Sequence, residues 1–324
     1  RYLGSEVIGE YSVVLALYWI FQKIATMGLE PIIIREVAKQ EDKASGFLFS
    51  GTLIGFCSSL IMIVVMALFA RLADYSRVVV ICSTIMGGAL LLTTLNLIFQ
   101  SLFIAFEKAE YAFYGNLAGS LFKLGAGIGL LSAGYGLVTL MTVFVASTLL
   151  SLLVNIALTH NYILPMKFSP DLKTAKWLLK TMPFFAGSQV VHAFSGNITV
   201  IILSLLLDME KVGYYGAAMQ LVGGVRMIIQ SYKVAIQPVV AKTYERSVRE
   251  LKRFSIKSMK YICMLTIPVC VGTVVLAPRL VELIYTREFL EAVPLLRIVI
   301  WTVFLYGMSM VLTSILVASN NQKV

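Results

Sequence analysis

Charge is scarce in this chain. Only 14% of its 324 residues are charged, where a soluble domain carries about 25%. A soluble fold of that composition would lack the polar surface to cover its core. An ordinary soluble enzyme and a disordered chain are both excluded. Histidine is nearly absent, with only His160 and His192. The cysteines Cys57, Cys82, Cys263 and Cys270 all lie in apolar runs, without a C-x-x-C pair or a neighbouring His cluster. They read as small buried hydrophobes rather than a disulfide framework or a metal site. No Walker-type glycine-rich loop and no G-x-S-x-G turn occurs. No connection is long enough for a nucleotide-binding domain. No cofactor is expected, and the chain is not read as an enzyme.

What is present is apolar length, with 59% of residues hydrophobic. A bilayer core about 30 Å thick takes roughly 20 apolar residues per helix. Nine spans are predicted, at 11–30, 46–70, 78–105, 111–132, 136–158, 183–207, 214–236, 259–284 and 295–318. The runs are too long for transmembrane strands and do not alternate. The fold class is therefore an all-α polytopic membrane protein. A net charge of +10 in a soluble protein would suggest nucleic acid. Here most basic residues flank spans, so no nucleic-acid partner is expected.

Lys and Arg in the connections set the orientation. Connections 31–45, 106–110, 159–182, 237–260 and 319–324 carry 16 of the 27 basic residues, and the alternate set carries 6. The first set is predicted to be cytoplasmic. Arg1 then lies on the outer side, and an odd number of spans, most simply one, is expected before it. Within 161–182, Ser169 and Pro170 read as an N-cap and first helical residue. Lys173, Lys176 and Lys180 follow beside Trp177 and Leu178, the pattern of an amphipathic interfacial helix. This stretch is expected to link an N-terminal lobe, 1–160, to a C-terminal lobe, 183–324.

An internal repeat supports two halves. Glu6-Val7-Ile8-Gly9-Glu10-Tyr11-Ser12 and Glu210-Lys211-Val212-Gly213-Tyr214-Tyr215-Gly216 share the pattern E-x-[VI]-G-x-Y-[SG]. Six predicted spans separate them, so both copies have one orientation, as in parallel repeats about an axis along the membrane normal.

The remaining five basic residues, Lys23, Lys123, Arg226, Lys233 and Arg297, fall inside predicted spans. A charge at the bilayer centre costs about 2.5–3.5 kcal/mol on insertion scales and is retained where it faces a cavity or a counter-charge. No acidic residue falls in the middle of a span, so the missing partner is read as an anionic cargo. Lys23 and Arg226 lie 14 and 13 residues beyond the two repeat glycines, at similar depths. Lys123 sits among Gly115, Gly119, Gly125, Gly127 and Gly129, which permit close packing. Lys233 and Arg297 lie nearer span ends, where snorkelling is the alternative. His192 and Asn197, on the 183–207 span, are the candidate gate or coupling groups. Packing is the competing role for His192.

Arg1-Tyr2-Leu3-Gly4 with Ile8-Gly9-Glu10-Tyr11, then Gly28-Leu29 followed by Arg35-Glu36-Val37-Ala38, then Val212-Gly213-Tyr214-Tyr215-Gly216-Ala217-Ala218, and finally Ala318-Ser319-Asn320-Asn321-Gln322-Lys323, stand in one order along the chain. Together they resemble elements of the polysaccharide and O-antigen flippases (Wzx-like) of the multidrug/oligosaccharidyl-lipid/polysaccharide exporter superfamily. The resemblance covers the whole chain and aligns it with family helices two to ten. It implies a V-shaped pair of lobes alternating access to a central cavity in the cell (inner) membrane. The implied cargo is a polyprenyl-pyrophosphate-linked oligosaccharide moved to the outer leaflet. The implied partners are membrane lipids, a polysaccharide polymerase and glycosyltransferases. One departure stands out: this chain reads Asn197-Ile198-Thr199-Val200 where many relatives carry an acidic residue, which argues against cation coupling there. Rival readings are a cation-coupled multidrug exporter and a lipid II flippase of the same superfamily.

Overall fold

The computed structural model describes residues 4–163, 171–246 and 248–318. It is built of helices: α1 Ser5–Thr26, α2 Leu29–Lys39, α3 Ala44–Leu72, α4 Arg77–Ala105, α5 Ala109–Ser132, α6 Leu137–Tyr162, α7 Leu172–Leu206, α8 Met209–Arg246, α9 Val248–Ile284, α10 Ala292–Val299 and α11 Trp301–Ala318. No strand occurs among the described residues. Among the described residues, six helical stretches are long and apolar enough to cross a membrane, where nine spans are expected. The other three expected spans fall on α5, α7 and α8. All three are helical; α5 falls short through its glycines and Lys123, and some side chains of α7 and α8 lie outside the described residues.

Two compact units form. The first runs from Glu10 to Asp208, and the second joins residues 3–9 to Met209–Val324. The first turn of α1 thus belongs to the second unit. Helix α7 joins the stretch read as the linker, 161–182, to the span at 183–207, and it packs within the first unit against α3 and α2.

In the first unit α4 lies between α3 and α6, and α5 pairs with α6. The outward face of α3 carries Leu60, Ile61, Val64 and Leu68, all well exposed. Their three- and four-residue spacing is that of a lipid-facing stripe. Cys57, expected to be buried, is exposed on this helix, because a lipid-facing surface is as apolar as a core. Helices α3, α4 and α5 each end on a residue of positive φ, Asp74, Glu107 and Gly134. Its amide and the next one turn back onto the last helical carbonyls, closing the short turns between antiparallel neighbours.

Several expected connections are helical. Residues 29–39 form α2, with Leu29, Ile32, Ile33 and Val37 buried and Arg35 and Lys39 exposed. Pro31 lies in its first turn, where the missing N–H has no intrahelical acceptor in any case. The break before it comes from Met27 and Gly28, with φ of 43° and 77°. Arg35 pairs with Glu36 at 2.7 Å and lies over the Phe185 ring at 5.3 Å, tying α2 to α7. Helices α8 and α9 run through 237–246 and 248–260, so the most basic predicted connection is helical as well.

The start of α7 differs from the sequence expectation. Its N-cap is Asp171, whose carboxylate accepts from the Lys173 amide at 2.9 Å and the Thr174 hydroxyl at 2.5 Å. The Thr174 hydroxyl, helped by the backbone amides, holds that carboxyl below the usual carboxylate range. Ser169 and Pro170 lie outside the described residues. Lys173, Lys176 and Lys180 are exposed while Leu178 and Met182 enter the core. Leu172, Trp177 and Leu179 are exposed beside the lysines, and the stretch is continuous with the rest of α7.

The second unit contains the repeat, and the two copies touch. A Cβ on Gly9 would be driven into the Met209 carbonyl oxygen and lie 3.1 Å from the Gly213 nitrogen. A Cβ on Gly213 would be driven into the Ser5 carbonyl oxygen and lie 3.1 Å from the Gly9 nitrogen. Each contact is the other with its partners exchanged, as a two-fold relation between repeats requires. The first turn of α1 is held here further by Glu288, which accepts from the Ser5 amide at 2.8 Å and the Ser5 hydroxyl at 2.5 Å. Ile8 joins the apolar core of α8, α9, α10 and α11.

Candidate functional site

A described cavity within the first unit carries a charged side chain among polar walls. Its volume is about 160 Å³. Its walls are Tyr18 and Trp19 of α1, Thr93 and Asn96 of α4, Asn116, Gly119, Ser120 and Lys123 of α5, and Phe144, Ser147, Thr148 and Ser151 of α6. The cavity forms because α5 and α6 approach closely through small residues. A Cβ on Gly119 would sit 2.7 Å from the Ser147 carbonyl oxygen, and one on Gly115 would collide with the Asn155 amide. Gly115 and Gly119 against Ser147, Ser151 and Asn155 make a small-residue seam.

Among the described residues that line it, Lys123 is the one that is charged, and none is a carboxylate. Its ammonium lies 4.9 Å from the Phe144 ring centroid, a cation–π contact that leaves its hydrogen-bond donors available. Phe144 is steadied edge-on by Tyr18 at 5.5 Å, and Tyr18 shares a 2.7 Å hydrogen bond with Thr93. Behind the wall, Asn155 donates to Asn96 at 2.6 Å and Asn96 donates to Ser151 at 3.0 Å. This chain fixes the amide of Asn96 in a low-dielectric setting. Gln100 donates to Asn116 at 2.8 Å on the facing helix. The result is one cation, an array of amides and hydroxyls, and three aromatic rings.

The other sequence candidates are dispersed. Lys23 lies in the last turn of α1, where its carbonyl accepts from the Thr26 hydroxyl and the Met27 amide. The helix dipole favours a cation there, and Lys23 does not line the cavity. Arg226 belongs to the second unit. It donates to the Thr302 hydroxyl at 3.1 Å and lies over the Tyr306 ring at 5.6 Å. Its Nε is buried without a partner. Tyr306 in turn donates to Gln230 at 2.6 Å. Asn197 donates to the Ala193 carbonyl of its own helix at 3.1 Å. The side chains of His192 and Lys233 lie outside the described residues.

Arg297 has a structural partner. Pro278 in α9 lacks an N–H, so it leaves the Val274 carbonyl without its helical donor. The Arg297 Nε donates to that carbonyl at 3.2 Å. Arg297→Gln should therefore lower thermal stability, by about 1–2 kcal/mol on the scale of a charged hydrogen bond. Transport per folded molecule should be unchanged. Melting in detergent together with activity normalised to protein amount checks this, and a transport defect at full stability would move Arg297 into the cargo path.

The reciprocal glycine contact has the register of the sequence repeat. The offset of 204 residues between Gly9 and Gly213 places Arg226 opposite Gln22, one residue from Lys23. Gln22 is 1% exposed, and both of its amide atoms lack hydrogen-bond partners. Reading for charge alone passes over Gln22, Asn96 and Asn116. The available signal was the rarity of amides inside otherwise apolar runs.

Comparison with known proteins agrees with the helical architecture. The family model described as polysaccharide biosynthesis protein matches residues 1–244, and the MatE family model matches residues 183–324. No curated protein matches the chain. Among solved structures, it is similar to an inward-facing multidrug resistance MATE family transporter of the MOP superfamily, at 16% identity and a TM-score of 0.79, covering 98% of this chain and 78% of that one. An outward-facing multidrug resistance MATE transporter is similar at 14% identity and a TM-score of 0.63, with 95% and 72% covered. A MATE protein in complex with MaD5 is similar at 15% identity and 0.62, with 96% and 74% covered.

Proposed function

The chain belongs to the polysaccharide biosynthesis protein family, as a multi-pass membrane transporter of the MOP superfamily, and on that premise we propose that it flips a polyprenyl-pyrophosphate-linked oligosaccharide. The movement runs from the cytoplasmic to the outer leaflet of the cell membrane, without covalent chemistry. One observation carries the reading: the cavity holds a single cation, Lys123, no carboxylate, and walls of amide and hydroxyl groups. An ammonium attracts a phosphate as a point charge. Amides and hydroxyls pair with the hydroxyls of a sugar, and aromatic rings give its apolar faces a surface. Within its own unit, Arg226 offers a guanidinium suited to phosphate oxygens.

The MatE match and the structural similarity to multidrug resistance transporters favour a second reading, a cation-coupled drug exporter. A cationic drug meets the wrong sign of charge at Lys123, and the acidic residue such coupling uses has no counterpart at Asn197. A lipid II flippase remains a variant of the first reading with a different glycan. Reconstitution of the full-length protein in proteoliposomes separates these. Lipid-linked oligosaccharide in the inner leaflet should become accessible to an impermeant lectin, while a fluorescent cationic drug should not move. Drug movement without oligosaccharide flipping would overturn the proposal.

A further inference from the structure

The exposed face of α9 changes character along its length. Over the first turns its exposed residues include Lys252, Arg253, Lys257 and Lys260. Leu251, Ser255, Ser258 and Ile262 are the buried residues of the same stretch. They recur at the helical period on the opposite side. Beyond Lys260 the exposed stripe continues as Met264, Ile267, Val271 and Val275. No charge interrupts the sequence from there until Arg279. At the changeover the surface dips into an apolar groove of about 430 Å³, walled by Ile256, Met259, Cys263 and Met264, with Lys260 as its charged residue. Lys257 is steadied over the Tyr261 ring at 5.8 Å.

We propose that this face binds an anionic phospholipid, with the headgroup phosphate on Lys257 and Lys260 and an acyl chain along the groove. The pattern of charge selects that occupant. Two ammonium groups beside an apolar trough match a phosphate ester that carries a hydrocarbon chain. A zwitterionic lipid brings its own cation to the same place and gains less. A soluble anion leaves the groove unfilled. A basic-to-apolar step along one helix face is what a membrane surface requires of a helix that enters it. The site is separate from the cavity around Lys123, so it stands whatever the cargo.

Two lysines at the membrane surface should favour an acidic over a zwitterionic lipid by roughly thirty-fold. The test is native mass spectrometry of the full-length protein released from nanodiscs holding equal phosphatidylglycerol and phosphatidylcholine. The wild type should retain phosphatidylglycerol. Lys257→Gln with Lys260→Gln should lose most of that preference. Lys257→Arg with Lys260→Arg should keep it, which separates charge from folding. Lys173→Gln with Lys176→Gln on α7 should also keep it, which separates this face from basic surface in general. Equal retention of the two lipids by the wild type, an unchanged preference in the α9 glutamine pair, or the same loss in the α7 pair would each overturn the assignment.

Discussion

Alanine at Gly9 or at Gly213 should sharply reduce the folded protein recovered from membranes. At each position the added Cβ meets a backbone carbonyl oxygen, that of Met209 or Ser5. Neither is the end of a flexible side chain, so the helices must separate or the backbone must bend. Overpacking a core with a methyl group costs about 1–3 kcal/mol, and a backbone obstacle puts these substitutions at or above roughly 3 kcal/mol. Separation would also pull Ser5 from Glu288, which accepts two of its hydrogen bonds. Because the two contacts are images of each other, the single substitutions should have similar effects. The double variant should cost much less than their sum, since one displacement relieves both clashes. Gly125→Ala and Gly129→Ala are the controls: nothing lies within 4 Å of a Cβ there, and alanine favours a helix by up to about 1 kcal/mol over glycine. Melting curves of detergent-solubilised protein read all five variants. Wild-type melting of Gly9→Ala would sink the crossing as a packing device.

That crossing shows how far the sequence carries. The repeat was legible because the glycines sit in matching seven-residue frames, and the frame itself contains the offset. The contact between the copies was not legible, since nothing in either stretch says that its partner is the other one. Helix content was readable from long apolar runs, but helix ends were less so. Pro31 looks like a terminator and is a first-turn residue, while the break comes from Met27 and Gly28. The basic run at 249–260 looks like a loop because charge was read as absence from the membrane. It is helical, and one side of the helix is buried while the other carries the charge. Lys123 stood out because a cation in an apolar run is costly. The amides beside it did not, since their value depends on which neighbours they meet. Asn96 lies 55 and 59 residues from Ser151 and Asn155, and the three form one hydrogen-bonded chain.

Reversing the charge at Lys123 should abolish flipping, while removing it should only weaken it. Lys123 is the single charged group in the walls of the cavity, so Lys123→Glu turns attraction for a pyrophosphate into repulsion at the same place. Lys123→Ala removes one charge-assisted contact, worth about 1.5–3 kcal/mol, or roughly ten- to hundred-fold in binding. Lys123→Arg keeps the charge and can still stack on Phe144, so it should retain partial activity. Arg226→Ala should weaken flipping to a similar degree, and Arg226→Lys should recover part of it, losing the forked geometry of the guanidinium. Lys23→Ala should change least, because Lys23 ends α1 and does not line the cavity. None of the neutral substitutions should impair insertion, since loss of a charge favours transfer into the bilayer. Complementation of a flippase-null strain, with protein levels measured by blotting, ranks the series. If Lys123→Glu restores surface polysaccharide as well as the wild type does, or if neutralising Lys23, Lys123 and Arg226 together leaves complementation intact, the cations are structural and the anionic cargo is bound elsewhere.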